Sequence, residues 1–451
     1  MNAMTKNTSM TRTTPPTSDL PLRLAVLCPH FAPDTAPTGA VMTRIAAELA
    51  ALGHEVHVIT ALPWYRDHAI EQGWKGRGWR RFVQREDTGW GSITRVNPFP
   101  GHNRANLVRR GLGFVGFGAL AALAGLRGGR MDGVLVMSPP LTNGLVGWLM
   151  KVVHRGPLVF NIQDVFPDAA VDSGAITNPV VIAVARWLER FSYRRCDAVT
   201  VLSGDLRDNV VAKLRPSLAR RVRVIPNFVL TDDIRPLGRM TAYRRELLIG
   251  TEPVVLYAGN VGFSQSLELL IEAARELPEV TFVINGDGSA RAALGAAAAG
   301  LTNMRFTPYQ ALERLPEVLA TGDVHVVALR AGLGRVSVPS KTYSILAAGR
   351  PVLAAMDLGT EVPRILAEVG AGVAVPPDDP GLFIAALRVM LADDAGRATM
   401  GANGRAWAER AASPAAIAEA YVELFREVAG GGRGASGGRA GRRRGKRENR
   451  R

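Results

Sequence analysis

Several segments of this chain place polar groups where they could act on a ligand bearing phosphates or hydroxyls. The loop Pro29-His-Phe-Ala-Pro-Asp-Thr-Ala-Pro-Thr-Gly-Ala-Val41 joins an apolar strand pattern to a helical one, and ligands of open α/β sheets bind at that edge. Gly39 would let the backbone approach a phosphate or sugar, or would only permit a turn. His30, in the same loop, is a candidate catalytic imidazole. Asn161-Ile-Gln-Asp-Val-Phe-Pro-Asp168 closes another strand pattern with Asp164 and Asp168 four apart, beside the Gln163 amide. Asp164 could take the proton of an acceptor hydroxyl within hydrogen-bond reach. It could equally cap the next helix or pair with an arginine.

Further along, Tyr257-Ala-Gly-Asn-Val-Gly-Phe-Ser-Gln-Ser-Leu-Glu268 sits between a strand and a helix pattern. Backbone amides of Gly259, Asn260 and Gly262 could there cradle a phosphate at the positive end of a helix. Ile284-Asn-Gly-Asp-Gly288 puts Gly286, Asp287 and Gly288 after the next strand, by itself an ordinary left-handed turn. The stretch from Val324 to Met356 holds Arg330, Arg335, Ser340 and Lys341, and no Asp or Glu occurs between Asp323 and Asp357. Lys341 reads as the cation for a phosphate, with Arg335 and Arg330 in reserve, or as an exposed lysine before a helix.

Other chemistries find little support. The histidines form no metal-ligand spacing, so no metal and no cofactor are expected. Asp232-Asp233, Asp378-Asp379 and Asp393-Asp394 read as turns and helix caps. Ser203 lacks an elbow motif and a histidine partner. Cys28 and Cys196, far apart, exclude a disulfide framework and suggest a reducing compartment, with cytoplasm as the expected location. Of the net charge of +15, just over half lies in Gly430 to Arg451, which carries eight Arg and one Lys against one Glu. That tail reads as a solvated arm able to touch an anionic membrane face. Without a recognition module it does not indicate nucleic-acid binding.

The elements needed to position these residues follow from hydrophobic periodicity. Leu22 to Cys28, Val56 to Thr60, Gly133 to Met137, Leu158 to Ile162 and Ala198 to Leu202 are near-continuous apolar runs separated by room for helices, which indicates a parallel sheet covered on both faces. A second alternation contains Val254 to Ala258, Thr281 to Asn285, Val324 to Ala328 and Pro351 to Ala355. The expected class is therefore α/β, with two parallel-sheet units in succession. The expected units are a disordered leader 1–21, an N-terminal domain 22–235, a C-terminal domain 236–412, a helix 413–429 and a disordered basic tail 430–451. Gly111 to Leu126 is sixteen residues without a charge between arginines. As a helix it would span about 24 Å, short of a roughly 30 Å hydrocarbon core, so it reads as a buried helix or as one dipping into a membrane surface.

The order of these blocks resembles glycosyltransferase family 4, a GT-B fold family, in the branch of colanic-acid and O-antigen amino-sugar transferases. The resemblance rests on Leu49-Ala-Ala-Leu-Gly-His-Glu-Val-His-Val-Ile-Thr60, Asp164-Val-Phe-Pro167, Ile225-Pro-Asn-Phe-Val229, the Gly286-Asp-Gly288 turn, and Pro339-Ser-Lys341 with the later Ala348-Gly-Arg-Pro-Val352. It implies a retaining, metal-independent transfer of a sugar, with an N-acetyl amino sugar suggested, from a UDP-linked donor to a polyprenyl-linked glycan at the inner membrane face. It implies too that two Rossmann-like domains, acceptor-side at 22–235 and nucleotide-sugar at 236–412, face each other across a cleft, and that the C-terminal helix crosses back onto the first domain. Departures are clear. The family's paired glutamates fall on Val336 and Ser344, its diphosphate Arg and Lys on Asn260 and Gln265, and its donor-side histidine nearest to Gln163. A nucleotide-sugar epimerase on the same plan, or a non-catalytic partner subunit that keeps the fold, remain alternatives.

Overall fold

A computed structural model of the chain describes residues 20–66, 69–100, 107–127, 129–168, 171, 176–334 and 338–444; most of the expected leader, and Arg335, lie outside the described residues. Two sheets form, as the apolar runs indicate. The first orders its eight strands β3-β4-β2-β1-β5-β6-β7-β8. These are β1 (Arg23–Leu27), β2 (Glu55–Ala61), β3 (Val83–Thr88), β4 (Gly91–Val96), β5 (Gly133–Ser138), β6 (Leu158–Ile162), β7 (Ala198–Val201) and β8 (Val222–Val224). Every pairing is parallel except β3 with β4. That hairpin falls where the sequence reading found no strand. Val-Gln-Arg-Glu-Asp-Thr has no apolar run because β3 is an edge, and its charges guard the open ladder against further pairing.

The second sheet is parallel throughout, in the order β11-β10-β9-β12-β13-β14. Its strands are β9 (Val254–Ala258), β10 (Thr281–Asn285), β11 (Met304–Thr307), β12 (Val324–Ala328), β13 (Val352–Ala355) and β14 (Gly372–Val375). In both sheets β1 or β9 sits inside the order, flanked by strands on either side. The loops after such central strands open at the carboxyl edge, where ligands of doubly wound sheets bind.

Helix Pro414–Arg444 packs on the first domain. Ile417, Tyr421 and Phe425 join Leu24, Met42 and Leu135 in one core. Tyr421 also accepts a hydrogen bond at its hydroxyl from Asn161 Nδ2, 2.8 Å away. The helix runs on to Arg444, so the Gly/Arg stretch expected as a disordered arm begins as a continuation of this helix. Phe425 lies over Gly133, where an added Cβ would come within 2.6 Å of its ring. Phe425→Ala should therefore cost about 3–5 kcal/mol in denaturant unfolding, although this residue lies some three hundred positions along the chain from the strand it covers.

Candidate active site

On the second domain, β9 ends in Tyr257-Ala258 and enters the Gly259 loop. The Tyr257 ring is buried. Its hydroxyl donates to the Asn260 carbonyl (2.5 Å) and accepts from the Lys341 ammonium (2.5 Å), which also lies 3.8 Å from the ring centroid. Lys341 opens helix Lys341–Ala347 and is half-buried, with no carboxylate in ion-pair range among the described residues. Burial pulls its pKa down from the usual lysine range to about 7. Burial, with Tyr309 nearby, pushes the Tyr257 phenol up, so it stays a donor.

Glycine is required around this lysine. Gly259 has φ 144°, and a Cβ there would sit 2.9 Å from Lys341 Nζ. The Gly286 and Gly288 turn packs directly on the same loop, since a Cβ at Gly286 would come within 1.9 Å of the Gly259 carbonyl. Gly259, Asn260, Gly262, Gly286, Asp287, Gly288 and Lys341 are thus brought together. Their backbone is less available than the sequence suggests. Gly259 N–H donates to the Asn285 carbonyl (2.9 Å), Val261 N–H to that of Asp287 (2.9 Å) and Gly262 N–H to Gln265 Oε1 (3.0 Å). These amides hold two turns together, so the cradle of loop N–H groups reduces to Asn260. Arg330 is no reserve cation either, being paired with Glu268 (2.8 Å) and Asp378 (3.5 Å). Ser340 is exposed and makes no side-chain cap bond. Arg305 turns back to the Thr302 carbonyl (2.6 Å), away from the carboxyl edge.

Sequence reasoning passed over three residues here. Tyr257 seats the lysine, although in the apolar run of β9 its ring reads as core. Arg291, five positions after Gly286, donates to the Gly286 and Thr307 carbonyls and ties the turn to β11. Tyr309 is 55% exposed, on a loop pinned by Asn285 Nδ2 to the Pro308 carbonyl (2.8 Å).

On the first domain His30 is the focus. Its Nδ1 lies 2.7 Å from Oδ2 of Asp34, whose side chain is fully buried. The imidazole stacks on Trp64 (5.6 Å, 23°) and meets Tyr65 edge-on (5.4 Å). A carboxylate can only accept, so the bond fixes Nδ1 as the protonated nitrogen and leaves Nε2 for a ligand. Asp34 went unnoticed in the sequence, though its spacing of four from His30 was the available signal. His30 lines a cavity of about 540 Å³ walled mainly by prolines and aromatics, Trp64, Phe99, Phe114 and Phe117 among them, with Arg66 at its rim. Gly39 serves this arrangement sterically. Its N–H is already bound to the Ala36 carbonyl, and a Cβ would stand 2.9 Å from that of His30.

The three residues near β6 separate. Asp164 is exposed at the carboxyl edge with no ion-pair partner among the described residues. Gln163 is buried instead, donating to Asn161 Oδ1 (2.8 Å) and accepting from Asn227 (2.9 Å), so both ends of its amide are spent on the interior. Asp168 forms an ion pair with Lys213 (2.6 Å), which also holds the buried Glu189. Through Lys213 it braces helix Pro179–Arg195. Ser203 is a helix cap, accepting from Leu206 N–H.

The carboxyl edges of the two sheets meet at one corner. Gly204 N–H, at the start of helix Gly204–Ala212, donates to Glu361 (2.9 Å); Glu361 N–H, at the start of helix Glu361–Val369, donates to Asp205 (3.1 Å). Arg364 bridges both acids at 3.4 and 3.0 Å.

Residues 38–227 match a family described as a glycosyl transferase 4-like domain, and 252–393 one described as glycosyl transferases group 1. The putative colanic acid biosynthesis glycosyl transferase WcaI of Escherichia coli (strain K12) is 28% identical over 382 residues, 82% of this chain and 92% of that protein. In fold the chain resembles sucrose-phosphate synthase from Thermosynechococcus elongatus, with a TM-score of 0.63, 19% identity and coverage of 90% and 99% of the two chains. It likewise resembles Alr3699/HepE from Anabaena in complex with UDP, at a TM-score of 0.62 and 15% identity over 90% and 100%.

A lysine depressed to about pH 7 carries a signed consequence for stability. Between that pH and the ordinary lysine range the unfolded chain holds a proton that the folded chain lacks, so stability rises with pH across this window. Lys341→Met should remove that rise, with the variant gaining most over the parent below pH 7; identical pH profiles in thermal melts would contradict the assigned burial.

Proposed function

The chain is a glycosyltransferase of the two-domain family 4 type, and from that premise we propose that it moves a sugar from a UDP-linked donor to a lipid-linked glycan, retaining the anomeric configuration. The resemblance to a colanic acid enzyme suggests an N-acetyl amino sugar as donor and surface polysaccharide assembly as the setting. The observation that carries the reading is the half-buried Lys341 ammonium at the carboxyl edge, with no carboxylate in ion-pair range among the described residues. A diphosphate supplies the anion. Its approach restores the lysine's charge, and the interaction strengthens as the sugar–oxygen bond breaks and negative charge gathers on the leaving oxygen, which lowers the barrier. The exposed ring of Tyr309 is a candidate to stack on the nucleobase.

On the acceptor side, the exposed Asp164 takes the proton of the attacking hydroxyl. His30, oriented by Asp34, hydrogen-bonds the acceptor, whose apolar portion the aromatic and proline cavity would accommodate. Asp357 and Asp378, the acids that flank the altered block, do not take over from the missing family glutamates. Asp357 is consumed by the N–H groups of Gly332 and Gly334, and Asp378 by Ser266, Ala331 and Arg330. In this reading Lys341, with the Asn260 amide, stabilises the departing diphosphate.

Thermal stabilisation by UDP is the direct test, with about 2.7 kcal/mol expected at a hundred times Kd. Because binding draws a proton onto Lys341, affinity should fall by up to about tenfold per pH unit above 7. Lys341→Ala should weaken binding and flatten that dependence; unchanged affinity in the variant would remove the lysine's role. Asp164→Asn should lower transfer by about 10²-fold or more while UDP affinity stays at the parental value.

A further inference from the structure

Helices Leu107–Leu126, Asn143–His154 and Pro179–Arg195 lie side by side on one face of the eight-stranded sheet, where Phe117, Val146 and Tyr193 share a core. His154 Nε2 meets the Gly125 carbonyl at 2.8 Å and joins the first two. Trp148 meets Phe191 edge to face at 5.5 Å and joins the second pair. Their outer sides are apolar. Val115 and Leu123, Val152 and Val153, Val184 and Trp187 are each between 48% and 62% exposed. Single exposed apolar residues are ordinary on a surface, but a run across three adjacent helices marks an interaction face.

The exposed charges carried on these helices have one sign, and Asp197 beside them is spent on Lys151 (2.7 Å). Arg127, Arg155, Arg186, Arg190 and Arg194 are exposed along it, and Arg195 lies over Trp148 and Phe191 at 5.6 and 5.7 Å. The three helices contain a single acid, Glu189, which is buried and bound to Lys213. A protein partner of ordinary mixed charge would leave such arginines uncompensated. An anionic headgroup layer would neutralise them while accepting the apolar side chains and the amphipathic Trp187 ring. Among the described residues no helix is long and apolar enough to cross a membrane, so the contact is tangential.

We propose that this three-helix face docks flat on an anionic lipid bilayer. The proposal rests on the reading of a lipid-linked acceptor and gives it a geometry. Helix Leu107–Leu126 turns Phe114 and Phe117 toward the cavity beside His30, and Val115 and Leu123 toward solvent. One helix then separates the acceptor site from the bilayer, and a polyprenyl chain need only pass around it.

Flotation of the full chain with vesicles tests this, using equal parts phosphatidylglycerol and phosphatidylcholine against phosphatidylcholine alone. Binding is expected to the anionic vesicles and to weaken with salt. V184D/W187D should reduce it by about tenfold or more, and R190Q/R194Q should weaken it on anionic vesicles specifically. Deleting 430–451 should leave most of it. Absence of binding by the parent, full binding by V184D/W187D, or complete loss on deleting the tail would each overturn the proposal. So would a lipid-free dimer that V184D/W187D dissociates, since a second copy would then be the occupant. UDP stabilisation of the same preparations separates the two readings: parental UDP shifts without vesicle binding sink the docking face alone, and vesicle binding without any UDP shift sinks the donor assignment alone.

Discussion

The contact between the Lys341 ammonium and Tyr257 needs three segments to arrive together: the end of β9, the start of helix Lys341–Ala347 and the turn after β10. Each is held by the others. Tyr257 offers a face and a hydroxyl, which lets a cation stay half-buried without a carboxylate. Gly259 and Gly286 remove the side chains that would fill the same space. Loop amides that might have faced a ligand are spent on locking the two turns, at Asn285, Asp287 and Gln265. The rigidity of the lysine's seat and the scarcity of free amides around it have a single cause.

What could be read in advance divides along physical lines. Central strands were legible because parallel strands covered on both faces must be apolar, as in Leu-Ala-Val-Leu of β1 after its opening Arg23, or Val-Val-Leu-Tyr-Ala of β9. The β3–β4 hairpin was not, because an edge strand has one solvated side and its sequence resembles a polar loop. In the site, glycine turns and Lys341 were recognisable from order and composition. The partners of Gln163 and Asp168 were not legible, since they are remote in sequence: Asn227 meets the amide and Lys213 the carboxylate. Local spacing names the group able to do chemistry and says nothing of a distant partner that has already claimed it. Asp34 shows the converse, a local pairing with His30 that the flanking prolines obscured.

Helix Leu107–Leu126 illustrates how one apolar segment can serve two environments. Its small residues, Gly118 and Gly125, allow close packing on the neighbouring helix, near Val146 and Met150. Phe114 and Phe117 furnish the cavity wall. A helix hydrophobic on every side would ordinarily be buried on every side. This one keeps an apolar outer stripe, in line with the similar stripes on the two helices beside it.

The Gly204–Glu361 corner joins the domains by exchange of caps: each helix start is satisfied by an acid from the other domain. Neither helix can move off without stripping its neighbour's terminus as well as its own. Loss of one contact therefore exposes unsatisfied donors on both sides at once. Separation of the lobes has an abrupt threshold where a single salt bridge would give gradual play, and the enzyme's breathing is in this respect closer to a clasp than to a spring.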